Sequence, residues 1–400
     1  MASEAQNLKK LGNDAFEEKD FDTALKNYEE AIEKEPNEIT NHLKAASVHF
    51  EMNNFDECIK VCLEASKIGK ANGADSKLMA RAFAGMGQAY KLKDSSDLDK
   101  ALENYEKVIE LDPNEIYYYN NMADVHFELK NYTKCIKLCL KASKIGQEKG
   151  ADPKNIAKCY EIMAKAHQEF GNLKMAKQAF EKAQKENRTS DYDEYLSEIE
   201  TKIENQVEYL LCLGTEALNK KDFAEALKFF GKGLDLDPTK IELYLETANT
   251  YYHMKNFQLC VGFSEKTVNI GKENGADSKL LAKAYEGMGD AFEEIGNLKK
   301  AKLAYEKSFK EYPKQSLEKH LLRITKEIET FENEKAAKEL VKAAKEKQEL
   351  KEKQKEKRKR KVSSSSSSSC SSSSSSSSSE DEKPQKRSQK AKKGNLICLL

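Results

Sequence analysis

Small and aromatic residues recur at helical spacing near the start of the chain, between Leu11 and Pro36. Two amphipathic helices fit this stretch, because its apolar positions follow one another at the intervals that place side chains on one helix face. The first helix has small residues, Gly12 and Ala15, where the second can cross it closely. The apolar face of the second helix consists of Ala24, Tyr28 and Ala31. Pro36 then stops the second helix, so the pattern predicts one helical hairpin.

The same frame recurs along the chain and defines about eight hairpins. Gly or Ala on the first helix, Ala and a ring on the second, and Pro after it form the tetratricopeptide pattern. We therefore predict an all-α superhelical solenoid of tetratricopeptide repeats, in which each hairpin packs only against its neighbours. The predicted hairpins span residues 4–37, 38–75, 76–113, 114–152 and 153–187, with three more in 207–314.

Residues 188–206 interrupt the repeat frame, and their apolar residues fit a helix that closes one array and leads into the next. After the last hairpin, a helical apolar face that ends at Phe331 fits a capping helix, which continues into sequence rich in Glu and Lys. The predicted domains are a first module at 4–113, two further hairpins at 114–187, a linker helix at 188–206, a third module at 207–314, a capping and charged helix at 315–361, and a disordered Ser-rich basic tail at 362–400.

The composition fits a helix-rich chain, with 38% hydrophobic and 34% charged residues and equal numbers, 68 each, of basic and acidic side chains. No apolar run is long enough to span a membrane. The first residues lack the basic and apolar regions of a secretory leader, and nine cysteines in such a chain indicate reduced thiols. We therefore expect a cytoplasmic location, with a nuclear one also open.

The sequence contains no phosphate-binding glycine loop, nucleophile elbow or zinc-ligand spacing, so we expect no enzyme activity, cofactor or metal. Two cysteine pairs stand one helical turn apart, Cys58 with Cys62 and Cys135 with Cys139. Other repeats have Ala or an aromatic residue at these positions, so packing in the core explains the cysteines better than metal binding.

The first module is similar to the peptide-binding modules of the stress-inducible phosphoprotein family, the co-chaperones that organise heat-shock chaperones. The similar stretches are Lys9-Lys-Leu-Gly-Asn13, Lys19–Tyr28 and Phe55-Asp-Glu-Cys58. In that family, five side chains hold the C-terminal carboxylates of the seventy- and ninety-kilodalton heat-shock chaperones. The family's small helical domains rich in Asp-Pro have no counterpart in this sequence.

The resemblance implies a peptide site on the first helices of the first three hairpins. Lys9 and Asn13 match the first two positions of the family's site. Lys44 replaces an Asn, Arg81 replaces a Lys, and Gly85 stands where the family has an Arg. The alternative interpretation is that these cations lie on a solvent-exposed helix face and bind no ligand, since one-third of the residues in the chain are charged.

The same five positions can be aligned on two further sets of three consecutive hairpins, which we call the second and third windows. The window from hairpin three retains polar residues at Asn121 and Lys158, which are further candidates for peptide binding. The window from hairpin six places Glu246 where a carboxylate ligand would be repelled. We therefore expect the third module to recognise something else.

The tail contains a basic cluster formed by Lys357, Arg358, Lys359, Arg360 and Lys361. Such a cluster is typical of a nuclear-import signal, and nonspecific contact with polyanions or a solubilising role are the alternatives. Serines before Glu380-Asp-Glu382 resemble the substrates of acidophilic kinases.

Taken together, the sequence predicts a protein-binding scaffold whose first groove accepts acidic C-terminal peptides of heat-shock chaperones. We expect no small-molecule substrate, and contact with nucleic acid only through the basic tail. A nuclear or nucleolar assembly scaffold and a cytoskeletal or polarity scaffold are the alternatives.

Overall fold

The computed structural model describes the backbone of residues 2–364 and the side chains of residues 4–357. Within this part of the chain there are seventeen α-helices, a single 3₁₀ turn at Ser95–Asp97, and no strand. The helices are α1 (Ala2–Glu17), α2 (Phe21–Lys34), α3 (Ile39–Glu51), α4 (Phe55–Asn72), α5 (Ser76–Lys93), α6 (Leu98–Leu111), α7 (Ile116–Glu128), α8 (Tyr132–Lys149), α9 (Pro153–Glu169), α10 (Leu173–Glu186), α11 (Ser190–Asn219), α12 (Phe223–Leu236), α13 (Ile241–His253), α14 (Phe257–Glu273), α15 (Ser278–Glu294), α16 (Leu298–Glu311) and α17 (Gln315–Ser364).

The first sixteen helices pack in consecutive pairs, from α1 with α2 to α15 with α16. The second helix of each pair also packs against the first helix of the next pair, as α2 does against α3. This nearest-neighbour arrangement is that of a repeat solenoid. The predicted all-α array of eight tetratricopeptide hairpins is therefore confirmed. None of the described helices has an apolar stretch long enough to cross a membrane.

A glycine on the first helix faces a ring on the second in four of the hairpins. A Cβ atom on Gly12 would lie 2.7 Å from Cε1 of Tyr28, a side chain that is fully buried. The same relation holds for Gly214, where a Cβ atom would overlap the ring of Phe230. The missing side chain lets the two helices approach at the ring, which explains the Gly and aromatic positions of the sequence pattern.

Local hydrogen bonds fix the turn inside each hairpin. In the first turn Lys19 adopts the left-handed conformation (φ 61°), and the Asp20 amide donates to the Ala15 carbonyl at 2.9 Å. The Asp20 carboxylate then accepts from the Thr23 amide at 3.1 Å and caps α2. Lys130, Lys221 and Lys255 have the same positive φ in their own turns.

The predicted boundary between residues 206 and 207 falls inside one continuous helix, α11, which is 30 residues long. Its buried stripe passes from Ile199 and Ile203 to Val207 and Leu210 without a break. One core cluster extends from Ile116 in the first array to Leu243 in the second. The two arrays are therefore joined through a shared core.

The chain divides into two compact units, Met1–Thr325 and Lys326–Leu400. The first unit includes the start of α17, where Leu317 and Ile324 are buried. In the second unit, the side chains of residues 329–357 are exposed, including that of Phe331, which the pattern places on the apolar face. The predicted disordered tail lies outside the described residues, apart from 362–364, which belong to α17.

Candidate peptide-binding grooves

Three of the predicted cations lie on successive first helices, with Lys9 on α1, Lys44 on α3 and Arg81 on α5. Burial lowers the pKa of the Lys44 ammonium, and the positive charges of Arg81 and Lys9 lower it further, against a smaller opposing effect of Glu17. Both cations are thus within electrostatic reach of Lys44. We call this surface, formed by Lys9, Asn13, Lys44, Arg81 and Gly85, the N-terminal groove.

Lys9 is held in place by the next hairpin. Its Nζ donates a hydrogen bond to Oγ1 of Thr40 at 2.7 Å, and that hydroxyl donates to Glu38 at 2.8 Å. Glu38 is the N-cap residue of α3, and its carboxylate also accepts from the Thr40 amide. An ammonium has three donors, so Lys9 keeps two for a ligand.

Asn13 is oriented by the buried ring of its own hairpin. The Tyr28 hydroxyl donates to Oδ1 of Asn13 at 2.9 Å. Burial, with a smaller effect of Glu17, raises the pKa of Tyr28 to about 12, so the phenol remains the donor. The amide Nδ2 of Asn13 is consequently the group that can donate to a ligand.

Neither Lys44 nor Arg81 forms an ion pair among the residues whose side chains are described. Lys44 is half-buried and Arg81 is exposed. Like charges close together raise the free energy of the empty groove, and a bound anion would reverse this effect. The arrangement therefore favours a ligand with more than one negative charge.

Gly85 lies above a core cysteine. A Cβ atom on Gly85 would be 2.7 Å from Sγ of Cys62, which is closer than a side chain normally packs. The missing side chain leaves a cavity of about 260 Å³. Its lining includes Arg81, Gln88, Phe50, Leu43 and Tyr117. Ser47 and Glu51 also line it, so the groove has a recess of mixed apolar and polar character next to a cation.

The second window differs from the first in its charge balance. Lys158 on α9 pairs with the Glu161 carboxylate at 3.1 Å, and Lys165 pairs with the same group at 2.7 Å. Asn121 on α7 has a buried Nδ2 without a hydrogen-bond partner in the described chain. Lys158 therefore shares a single carboxylate with Lys165, which leaves one net positive charge on the three side chains, whereas the amide of Asn121 is unused.

The third module has an acidic groove, which we call the C-terminal groove. Its cavity of about 360 Å³ is lined by Glu246 of α13, Ser264 of α14, and Lys283, Glu286 and Asp290 of α15. Sequence reasoning identified Glu246 but missed Glu286 and Asp290. They follow Lys283 at i+3 and i+7 on α15, so extending the repeat alignment by two helical turns would have found them.

The four framework cysteines, Cys58, Cys62, Cys135 and Cys139, are buried core residues. Hydrogen bonding to Cys58, together with burial, raises the pKa of the Cys62 thiol, so it is protonated. Among the described residues no cluster of His, Cys, Asp and Glu could hold a metal ion. In the predicted import cluster, Lys357 is exposed, and the side chains of residues 358–361 lie outside the described part.

Comparisons with known proteins identify the repeats along most of the array. Models of the tetratricopeptide repeat match residues 15–82, 115–185 and 282–315, and a related repeat model matches 87–130. Stress-induced-phosphoprotein 1 of Caenorhabditis elegans is 30% identical over 229 residues, which cover 54% of this chain and 68% of that protein. The Hsp70-Hsp90 organizing protein of Triticum aestivum is 39% identical over 103 residues, which cover 25% of this chain but 18% of that protein.

Solved structures with related sequences cover parts of the chain. The N-terminal domain of stress-induced protein-1 from C. elegans is 33% identical and covers 31% of this chain and 97% of that domain, with a TM-score of 0.30. The TPR2AB-domain:pHSP90 complex of yeast Sti1 is 21% identical and covers 62% of this chain and 96% of that one, with a TM-score of 0.30.

The fold and grooves define a tetratricopeptide-repeat protein with oppositely charged grooves in its first and third modules. Within this class, the match to the nematode protein is long enough to identify the family. The chain belongs to the stress-induced-phosphoprotein family.

Proposed function

We propose that this protein is a co-chaperone-like adaptor whose N-terminal groove binds the acidic C-terminal peptide of a heat-shock chaperone. The observation that carries the proposal is the group formed by Lys9, Lys44 and Arg81 on the first helices of three successive hairpins. Burial and the charges of Arg81 and Lys9 together disfavour the charged form of Lys44. A chain terminus next to an acidic side chain supplies two negative charges on one short segment. Such a ligand fits this group better than a neutral or basic peptide does.

The family relationship supports the same ligand class. The plant relatives are named as organizers of Hsp70 and Hsp90, although the present chain spans less than a fifth of their length. The recess at Gly85 lies next to Arg81 and would accept an apolar side chain adjacent to the terminal carboxylate. The uncharged side-chain amide of Asn13 would donate a further hydrogen bond to the carboxylate oxygens.

The proposal is tested by isothermal titration calorimetry of the full chain with the peptides Met-Glu-Glu-Val-Asp and Ile-Glu-Glu-Val-Asp. We expect a dissociation constant in the micromolar range, which corresponds to a binding free energy of about −8 kcal/mol. Amidation of the C-terminus should abolish the heat of binding. Lys44→Ala and Arg81→Ala should each weaken binding about tenfold, since each removes a charge-assisted hydrogen bond.

Lys26→Ala is the matched control, because Lys26 is exposed on α2 and its loss changes the net charge equally. It should leave the affinity unchanged. If the wild-type chain binds neither peptide, or binds the amidated forms equally well, the chaperone-terminus proposal is wrong. The nuclear and cytoskeletal scaffolds would then be the remaining hypotheses.

A further inference from the structure

We propose that the C-terminal groove is a second binding site, specific for a peptide segment that presents a Lys or Arg side chain. This site would recognise a cationic side chain in the middle of a partner's chain, not a terminal carboxylate. It is independent of the function proposed for the N-terminal groove, because the two grooves share none of the residues that line them.

One pair of equivalent repeat positions has opposite charge in the two grooves, and a second pair gains a carboxylate in the third module. Lys44 lies at the sixth position of α3, and Glu246 occupies the sixth position of α13. Asp290 likewise lies at the α15 position that Gln88 occupies on α5. The same backbone frame therefore presents a cation in the first module and a carboxylate in the third at the first of these positions, and a neutral amide and a carboxylate at the second.

Among the residues whose side chains are described, two of the three carboxylates in the groove have no cation within ion-pair distance. Glu286 pairs with Lys314 at 2.9 Å, so it is already neutralised. Asp290 accepts from the Tyr305 hydroxyl at 2.5 Å, and Glu246 accepts from the Asn249 amide at 3.2 Å. Burial raises the pKa of the Asp290 carboxyl, and this effect outweighs the opposing effects of the Tyr305 hydrogen bond and the His320 charge.

A buried hydroxyl in the same cavity provides an independent indication of a ligand. Ser264 is only 1% exposed, and its Oγ has no hydrogen-bond partner within bonding geometry in the described chain. The adjacent Cys260 thiol is only a weak partner for a hydroxyl. Buried polar atoms are normally satisfied, so this oxygen is available to accept from a donor that enters the cavity.

The shape of the cavity fits a long cationic side chain. Leu245 and Tyr252 provide apolar lining for an aliphatic stem, while Glu246, Asp290 and Ser264 provide acceptors for its charged end. The volume of about 360 Å³ is large enough for one such side chain. Lys283, the cation in the lining, lies where Arg81 lies in the first module, and an acidic ligand would meet Glu246 and Asp290 beside it.

The test is fluorescence anisotropy of the full chain with two dye-labelled peptides whose ends are blocked. The basic probe is acetyl-Ala-Lys-Arg-Lys-Ala-amide, and the acidic probe has Glu at the three central positions. Salt at about 0.15 M limits electrostatic attraction from charges farther than about 8 Å. We expect binding of the basic probe only.

Glu246→Gln should weaken binding of the basic probe at least tenfold, because it removes a charge-assisted contact. Ser264→Ala should weaken it about threefold, as expected for a single neutral hydrogen bond. Glu265→Gln is the control, since Glu265 is exposed on the same helix as Ser264 but does not line the cavity. Unchanged thermal unfolding of each variant shows that the fold is retained.

Lys44→Ala should not change the affinity for the basic probe, which separates this site from the N-terminal groove. Three results would overturn the inference: no binding of the basic probe, equal binding of the acidic probe, or equal weakening by Glu246→Gln and Glu265→Gln. None of these results bears on the titration of chaperone peptides, so the two proposals fail separately.

Discussion

At the scale of single residues, Gly85 and Cys62 account for one of the three positions at which the N-terminal groove differs from the five-residue site that the family resemblance implies. The family has an Arg where this chain has Gly85, and Sγ of Cys62 occupies the space that a Cβ atom at position 85 would need. Restoring the Arg therefore requires a smaller residue below it. A double variant that changes both residues therefore tests whether position 85 faces the ligand.

We predict that the double variant Gly85→Arg with Cys62→Ala binds the acidic peptide about tenfold more tightly than the wild-type chain. The added guanidinium would supply a further charge-assisted hydrogen bond to the carboxylates. Calorimetry with Met-Glu-Glu-Val-Asp measures the gain. The control is Gly85→Ala with Cys62→Ala, which has the same helix and core changes without the charge. Equal affinity of the two double variants would show that position 85 does not contact the peptide.

A second prediction at this scale concerns pH. Because burial and the charges of Arg81 and Lys9 lower the pKa of Lys44, this side chain loses its proton at a lower pH than an ordinary lysine, whose pKa is about 10.4. The affinity for the acidic peptide should therefore start to fall in the alkaline range below that value. Unfolded chains retain the Lys44 proton longer, so the contribution of Lys44 to folding stability should rise over the same range.

Lys44→Arg provides the comparison, because an arginine remains charged throughout this range. Binding by this variant should be less sensitive to pH than wild-type binding over the range in which Lys44 loses its proton. The measurement is a series of titrations between about pH 8 and pH 10. Parallel pH profiles for the wild-type chain and Lys44→Arg would contradict the assignment of Lys44 to the peptide site.

At the scale of helices, repeat spacing was enough to predict the hairpins, and it failed where the repeat frame is broken. Gly12 and Tyr28 could be recognised as a packed pair because their spacing recurs in later hairpins. The continuity of α11 could not be recognised, because residues 188–206 have no counterpart in the other repeats. Glu286 and Asp290 were missed for a different reason: they lie beyond the positions that the family's site defines.

The continuity of α11 leads to a prediction about stability. Gln206 is exposed in the middle of this helix, at the predicted domain boundary. Gln206→Pro should lower the free energy of unfolding by about 3 kcal/mol or more, because proline removes a backbone hydrogen bond and clashes with the preceding turn. Urea denaturation followed by circular dichroism measures the loss.

Gln206→Ala should be close to neutral in the same experiment, since alanine is a good helix former and the side chain is not packed. A flexible linker at 206 would tolerate proline as well as alanine. Similar unfolding curves for the two variants would therefore mean that the two arrays are not joined by a rigid helix. A second unfolding transition in the proline variant alone would indicate that each array can unfold separately.

At the scale of the whole molecule, the two oppositely charged grooves suggest how one chain can hold two partners. The N-terminal groove lies on α1, α3 and α5, whereas the C-terminal groove lies on α13, α14 and α15. In a repeat array, each hairpin contacts only its neighbours, so local changes in one module should reach the other weakly. The helices α6 to α12 separate the two sites along the chain.

We therefore predict that the acidic and basic peptides bind at the same time and without coupling. The coupling factor is the ratio by which one peptide changes the affinity for the other, and a factor close to 1 corresponds to a coupling free energy close to zero. By thermodynamic linkage, each ligand must change the affinity for the other by the same factor. Titration of the chain with Met-Glu-Glu-Val-Asp, in the absence and presence of a saturating basic probe, measures this factor. A tenfold decrease in affinity would mean that the peptides compete, either for one site or by neutralising each other in solution.

Lys44→Ala and Glu246→Gln distinguish these explanations, because each should abolish or weaken one binding event and leave the other unchanged. Direct association of the two peptides would appear in a titration without protein. If both variants lose both ligands, the grooves act as one site, and the chain would present a single mixed surface to one partner. If each variant loses only its own ligand, the chain has the two independent sites that an adaptor between a chaperone and a second protein requires.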